Sequence, residues 1–208
     1  MKTFHAALGA PLLAALLGLG NAWAAPLSQP DQQMLTDLAM ANMAEIETAK
    51  LALQKTQSDR VKSFAQQMVD EHTKGLDEVR KVAKARNLNL PTELDSKHKA
   101  LASQLEKLSG DKFDRSYMEQ AGVQSHREAD KLVSQAASTA QDSELKALAT
   151  RLQPTIHQHL NNAEQLNAAI NTTTSMGASG THGKSGSSKT GHKGSHKSSS
   201  KDSTSDSK

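Results

Sequence analysis

Cysteine is absent from this chain of 208 residues. That excludes disulfides, thiolate chemistry and a lipid-modified amino-terminal cysteine, so a folded core must hold by packing alone. Aromatic residues are nearly as scarce, with one Trp, one Tyr and three Phe. The expectation is that no organic cofactor is wrapped in rings. No segment alternates polar and β-branched residues as a strand would, and no Gly-rich phosphate loop, nucleophile elbow or zincin motif occurs. A basic face is missing as well. The net charge is +3, but residues 171–208 carry six lysines against Asp202 and Asp206, which is +4. Removing Lys2 with a leader leaves +2 in total, hence −2 for the part between. Nucleic acid is therefore not an expected partner.

What is present begins with a leader. Lys2 precedes an apolar run over 6–19, and Ala22-Trp23-Ala24 offers small residues for cleavage before Ala25. This reads as a secretory signal peptide over 1–24, too short to span a bilayer. The protein is expected in the bacterial periplasm or envelope, and not as an integral membrane protein. Residues 25–170 are then the folded domain. Residues 171–208, rich in Ser, Gly, Lys and His, form an expected disordered tail. Its lysines would make weak, salt-sensitive contact with anionic envelope polymers. His182, His192 and His196 are read there as solvated.

The folded part is all-α. Leu35, Leu38, Ala39, Asn42, Ile46, Ala49 and Leu53 share one face of a helix from Pro30 to about Thr56. Ser58 caps a second helix that runs to Asn87, before Pro91. Thr92–Leu108 reads as a shorter helix with Thr92 as cap and Asp95 answering it, and its His98 is expected to face solvent. Asp111–Thr139 and Asp142–Ile170 are two more long helices, the last interrupted by Pro154, which is expected to kink it. Tight turns make each long pair antiparallel. The connector 88–110 is long enough to run the length of a helix of about 42 Å. Two antiparallel hairpins joined by a long crossover carrying a short fifth helix make a ferritin-like four-helix bundle.

Counting from the turns places Glu45, His72, His126 and His159 near mid-height. His72 lies at the centre of its apolar stripe and His159 close to the centre of its own. Glu45 and His126 lie at edges, while His157 and Glu47 point away. Such a set suits a mononuclear Zn, Cu or Fe site. It equally suits a hydrogen-bonded polar network completed by Asn42. A di-iron oxidase is disfavoured, because Glu-x-x-His pairs are required and Val69, Val123 and Ile156 stand three residues before the histidines. Glu71 adjoins His72, but neighbours in sequence do not share a helix face.

The segments AEIETAKLAL (44–53), VKSFAQQMVDEHTKGLDEV (61–79), LPTELDSKHKAL (90–101), LSGDKFDRSYM (108–118), SHREADKL (125–132) and LKALATRLQPTIHQHLNNAEQL (145–166) resemble an exported bacterial family of unknown function, often labelled "predicted outer membrane protein". The resemblance covers about Asp31–Ala169. It implies a ferritin-like bundle in the periplasm or envelope, with recurring positions at Glu45, His72, His126 and His159. The expected role is a helical-bundle binding or stress-related envelope component without turnover. The alternative is a metal-binding or redox protein built on those four residues.

Overall fold

The computed structural model describes residues 26–178, with side-chain environments through 172. The leader and residues 179–208, including the tail histidines and lysines, lie outside the described residues. In chain order the elements are α1 (Gln29–Lys55), α2 (Asp59–Ala85), α3 (Ser96–Glu106), α4 (Gly110–Tyr117), a π-helical stretch (Met118–Ser125), α5 (His126–Thr139) and α6 (Ser143–Ala178). No strand occurs among the described residues.

Polar capping sets the register of the hairpins. Ser28 accepts a hydrogen bond from the Asp31 amide at 3.2 Å, and Ser58 accepts from the Val61 amide at 3.4 Å. Residues 56–58 and 140–142 are all that separate the paired helices, so α1/α2 and α5/α6 lie antiparallel. Buried Asp31 accepts from the amides of Gln141 (3.2 Å) and Asp142 (2.9 Å). Arg86, at the end of α2, pairs with Asp142 at 2.7 Å. One end of the bundle is thus gathered by side chains reaching backbone groups. The crossover leaves that end through Asn87, in the left-handed conformation at φ 54°. It arrives at the other, where Lys55 donates to the carbonyl of Leu108 at 3.0 Å. This is the ferritin-like arrangement.

Three local expectations change. The short helix begins at Ser96, capped by Asp95, which accepts from the His98 amide at 2.9 Å. Asp95 is a strong cap in its own right, and Thr92 sits outside the helix in the irregular run around Pro91. The last helix passes through Pro154 and continues to Ala178, beyond the expected end at Ile170. Pro154 and Thr150, the residue whose carbonyl loses its helical partner, are both exposed, so water can satisfy that carbonyl. The third difference is the largest: the single helix expected over Asp111–Thr139 is not uniformly α. Each π turn takes one extra residue, which moves everything after it by about one position of phase. The buried series therefore runs Phe113, Tyr117, Ala121 and then His126, Ala129, Val133, with a step of five in the middle. Phe113, Tyr117 and His126, edge residues on an ideal helix, are all fully buried. Gly122 makes room for this, since a Cβ there would stand 2.9 Å from the Met118 methyl.

Two apolar clusters fill the bundle. One, towards the 140–142 end, includes Leu35, Leu38, Leu76, Val79, Leu145 and Leu148. The other, towards the 56–58 end, includes Val61, Phe64, Met68, Leu105, Phe113 and Tyr117. Between them lies a buried polar layer of Asn42, Glu45, His72, His126 and His159.

Candidate metal centre

Three helices each present one histidine to this layer: His72 from α2, His126 from the first turn after the π stretch and His159 from α6. The ring centroids form a nearly equilateral triangle, 5.4 Å (His72–His126), 5.2 Å (His72–His159) and 5.4 Å (His126–His159) on its sides. One ring nitrogen from each lies within 4.8 Å of the other two.

The partners on the outer side assign the tautomers. Asn42 donates its amide to the Leu38 carbonyl at 2.7 Å, which turns its Oδ1 towards His72 Nδ1 at 3.0 Å. Only a protonated Nδ1 can bond that oxygen, so the proton of neutral His72 sits there and Nε2 carries the lone pair. His126 Nδ1 lies 3.1 Å from the Ala121 carbonyl, and the same reasoning leaves its Nε2 as the lone-pair nitrogen. His159 donates Nε2–H to Glu71 Oε2 at 2.7 Å, and its buried Nδ1 has no hydrogen-bond partner. Every outer nitrogen is satisfied; inside, His159 Nδ1 has no partner and His72 Nε2 faces His126 Nε2 at 3.3 Å.

The rings are neutral. Burial and the neighbouring histidines hold His72 well below the usual imidazole range. Burial and His159 bring His126 down to about 4, despite the backbone at Ala121 and Gly122. Burial lowers His159 too, although Glu71 opposes it. Burial acts to raise Glu71, but hydrogen bonds from His159 and Gln67 outweigh it and keep the carboxylate below its ordinary range.

Of the four residues singled out in the sequence, the structure brings the three histidines together and leaves Glu45 beside them. Its Oε1 is 3.9 Å from His126 Nδ1, on the outer side of that ring. Burial pushes its carboxyl up to about 8, partly offset by Ser125, and Oε2 has no partner. Asn42 has the place expected of it. Glu71 adjoins His72 and does not share its face, yet the edge of α2 is enough for it to reach His159 on α6. His157 does point away, pairing with Asp130 at 2.9 Å, and Glu47 is exposed. His98 does not face open solvent: its side chain is 20% exposed and pairs with Asp95 at 2.7 Å. A di-iron carboxylate centre does not fit, since the one carboxylate bonded to the triad occupies a distal nitrogen.

A cavity of about 690 Å³ reaches His72, His159 and Glu45 from the crossover side, with Asp95, Lys97 and His98 also on its lining. The low aromatic content points away from a pocket, but aliphatic and polar side chains together line one.

A model of the family described as domain of unknown function (DUF4142) matches residues 19–166. This chain belongs to the DUF4142 family. Among solved structures, a DUF305 fragment from Deinococcus radiodurans is similar with a TM-score of 0.62 at 13% identity, over 70% of this chain and 99% of that one. At that identity the likeness concerns the fold alone. No curated protein matches. The histidine triad of this DUF4142 protein therefore has to be interpreted from its own geometry.

Proposed function

We propose that this protein is an exported envelope component that binds one transition-metal ion through His72, His126 and His159. The observation that carries the reading is the 3.3 Å separation of His72 Nε2 and His126 Nε2. Both nitrogens bear lone pairs, and neither ring is protonated at neutral pH, so no hydrogen bond can join them. Metal–nitrogen bonds of about 2.05 Å at a tetrahedral angle put two ligand nitrogens about 3.3 Å apart. The first two donors are at the spacing an ion requires, and a ring nitrogen of His159 lies within 4.8 Å of the other two histidines. Asn42, the Ala121 carbonyl and Glu71 orient the rings from behind, as supporting groups do around histidine ligands.

Neutral imidazoles without thiolate suit Zn and Cu, with Fe a weaker match to an all-nitrogen set. A purely hydrogen-bonded network accounts for the outer nitrogens, but it supplies no donor to the inner three. The envelope address rests on the leader pattern at 1–24, and the outer-membrane label is a proposal of association, not of a barrel. The expected role is binding, without turnover.

Metal analysis of untagged protein purified from the periplasm tests the reading. About one equivalent of Zn or Cu is expected, lost in His72→Ala. Protein that is metal-free, and whose melting temperature does not respond to either added ion, would refute it. Amino-terminal sequencing of the same preparation tests export, which predicts a mature chain beginning at Ala25.

A further inference from the structure

We infer that the cavity is the route by which the ion reaches the triad, and that His98 on the crossover helix is a staging ligand on the way in. The inference rests on the metal reading above and adds to it how the site is filled.

A site this enclosed needs an approach. His72, His126 and His159 are 4%, 0% and 1% exposed, so an ion cannot meet them directly from solvent. The cavity joins the two environments, because its lining runs from exposed Asp95, Lys97 and Glu128 to buried His72 and His159. At the buried end His159 Nδ1 has no hydrogen-bond partner, and the ring's proton is engaged by Glu71 on the other nitrogen. A bare lone pair on the wall of a cavity suits a cation. The sign of the lining agrees. Setting aside the two carboxyls beside the triad, Asp37, Asp95 and Glu128 stand there against Lys97 alone. Lys97 is taken up by Glu128 at 2.5 Å, between α3 and α5. The net negative balance of the cleft draws cations towards it.

His98 is built as a ligand on this path. It lines the same cavity, and its Nδ1 donates to Asp95 Oδ1 at 2.7 Å. The lone pair of the neutral ring is then on Nε2. Asp95 is itself fixed, since the same oxygen accepts the His98 amide at 2.9 Å as the cap of α3. The pair repeats the bond of Glu71 to His159, also 2.7 Å long. A carboxylate behind an imidazole is the support that histidine ligands carry. The His98 side chain, however, is 20% exposed where that of His159 is 1% exposed, so His98 meets an ion first. One imidazole, with water in the other positions, holds an ion weakly. Three imidazoles hold it firmly, and the ion passes inward.

Stopped-flow uptake of Co²⁺ by metal-free, full-length protein, followed through the absorption bands of the bound ion, tests the route. His98→Ala should slow uptake at least about fivefold, within the range by which charged clefts alter association rates. Release should slow by the same factor, leaving the equilibrium affinity and the bands unchanged. Leu101→Trp narrows the cavity from the crossover helix and should slow both rates further. Asp95→Asn keeps a capping residue but removes the charge, so uptake should slow and lose part of its dependence on salt. His98→Ala decides the matter if Leu101→Trp folds poorly. Uptake at the unaltered rate in His98→Ala and in folded Leu101→Trp would overturn the inference and leave the metal site standing, because the ion would enter elsewhere. Changed bands or a weakened equilibrium affinity in His98→Ala would also overturn it, since His98 would then be a resident ligand. Failure of the unaltered protein to take up Co²⁺ would refute the metal site, and the route with it.

Discussion

The two ends of the bundle and its middle layer are built on opposite terms. At the ends, Leu, Val, Ala, Met and Phe interlock, and the chain gains stability from each apolar group it buries. In the middle, a carboxyl and three imidazoles are taken out of water, and burial is the main cause of their shifted ionisation. A layer that worked only as packing would be better served by leucine. The ends hold the helices at fixed spacing and the middle uses that spacing, which separates mutations that unfold the protein from those that empty the site.

The largest effect is expected at the ends. Leu148 is fully buried at the 140–142 end, and Leu148→Ala should lose about 2–5 kcal/mol of stability in urea denaturation. The fraction that remains folded should bind metal with unchanged stoichiometry. Loss of metal in folded Leu148→Ala would mean that ends and middle are not separable.

Acid should distinguish the middle next. His126 has its pKa near 4 when folded against 6.5 as reference. Between those values the unfolded chain binds more protons, so stability falls as pH drops from 6.5 to 4, by about 3 kcal/mol for this group. Glu45, raised to about 8 from 4.5, acts in the opposite sense. The folded chain holds the extra proton between 4.5 and 8, and stability rises as pH falls through that window. The two slopes offset one another from 6.5 to 4.5. Glu45→Gln should therefore steepen the acid loss in that interval by up to about 1.4 kcal/mol per pH unit, measured by urea denaturation of metal-free protein at several pH values. Identical slopes in the two proteins would show that Glu45 is already ionised when folded.

The same contrast decides what was legible in the sequence. The stripes of α1 and α2 keep one helical period, so the inward positions of Leu35, Asn42 and His72 follow from spacing alone. His159 follows too, because Pro154 falls on the exposed face of α6 and does not reset its phase. His126 falls at an edge by simple spacing, as Phe113 and Tyr117 do on an ideal helix, because the extra residue of the π stretch has no simple signature in MEQAGVQS. Gly122 and the step of five between buried positions are the signals that could have revealed it. Glu71 was hidden by a rule applied too narrowly. Adjacent residues do not share the centre of a face, but one at the edge can serve a neighbouring helix. The expected end of α6 at Ile170 is the last position of its apolar stripe, whereas Gly177, near its observed end, is the better stop signal.

Gly75 offers a finer probe, because it touches the middle layer only through Asn42. A Cβ at that position would lie 2.7 Å from Asn42 Oδ1, so Gly75→Ala must displace the oxygen that holds His72 Nδ1–H. Leaving that donor unpaired costs about 1–3 kcal/mol, while replacing glycine in a helix returns up to about 1 kcal/mol. A modest net loss of stability is expected, with metal affinity lowered about 10–100-fold, the usual effect of removing a group that orients a histidine ligand. Calorimetric titration with Zn²⁺ reads the affinity directly. Weakened stability with unaltered affinity would place His72 among the packing residues.

The smallest disturbance is expected from Glu71→Gln. Its side chain is 35% exposed, and glutamine retains an oxygen that can accept from His159 Nε2–H, so the ring keeps its orientation and its bare Nδ1. Stability should change by no more than about 0.5 kcal/mol. What disappears is the negative charge behind the ligand, which strengthens its donor nitrogen and partly balances the ion. Zn²⁺ affinity should fall about tenfold, with the melting temperature of the metal-free protein almost unmoved. A core truncation at the ends of the bundle, such as Leu148→Ala, should have the opposite signature, with stability lost and Zn²⁺ affinity of the folded protein kept. If Glu71→Gln instead lowered stability as a core truncation does and left Zn²⁺ affinity alone, the middle layer would be another piece of core.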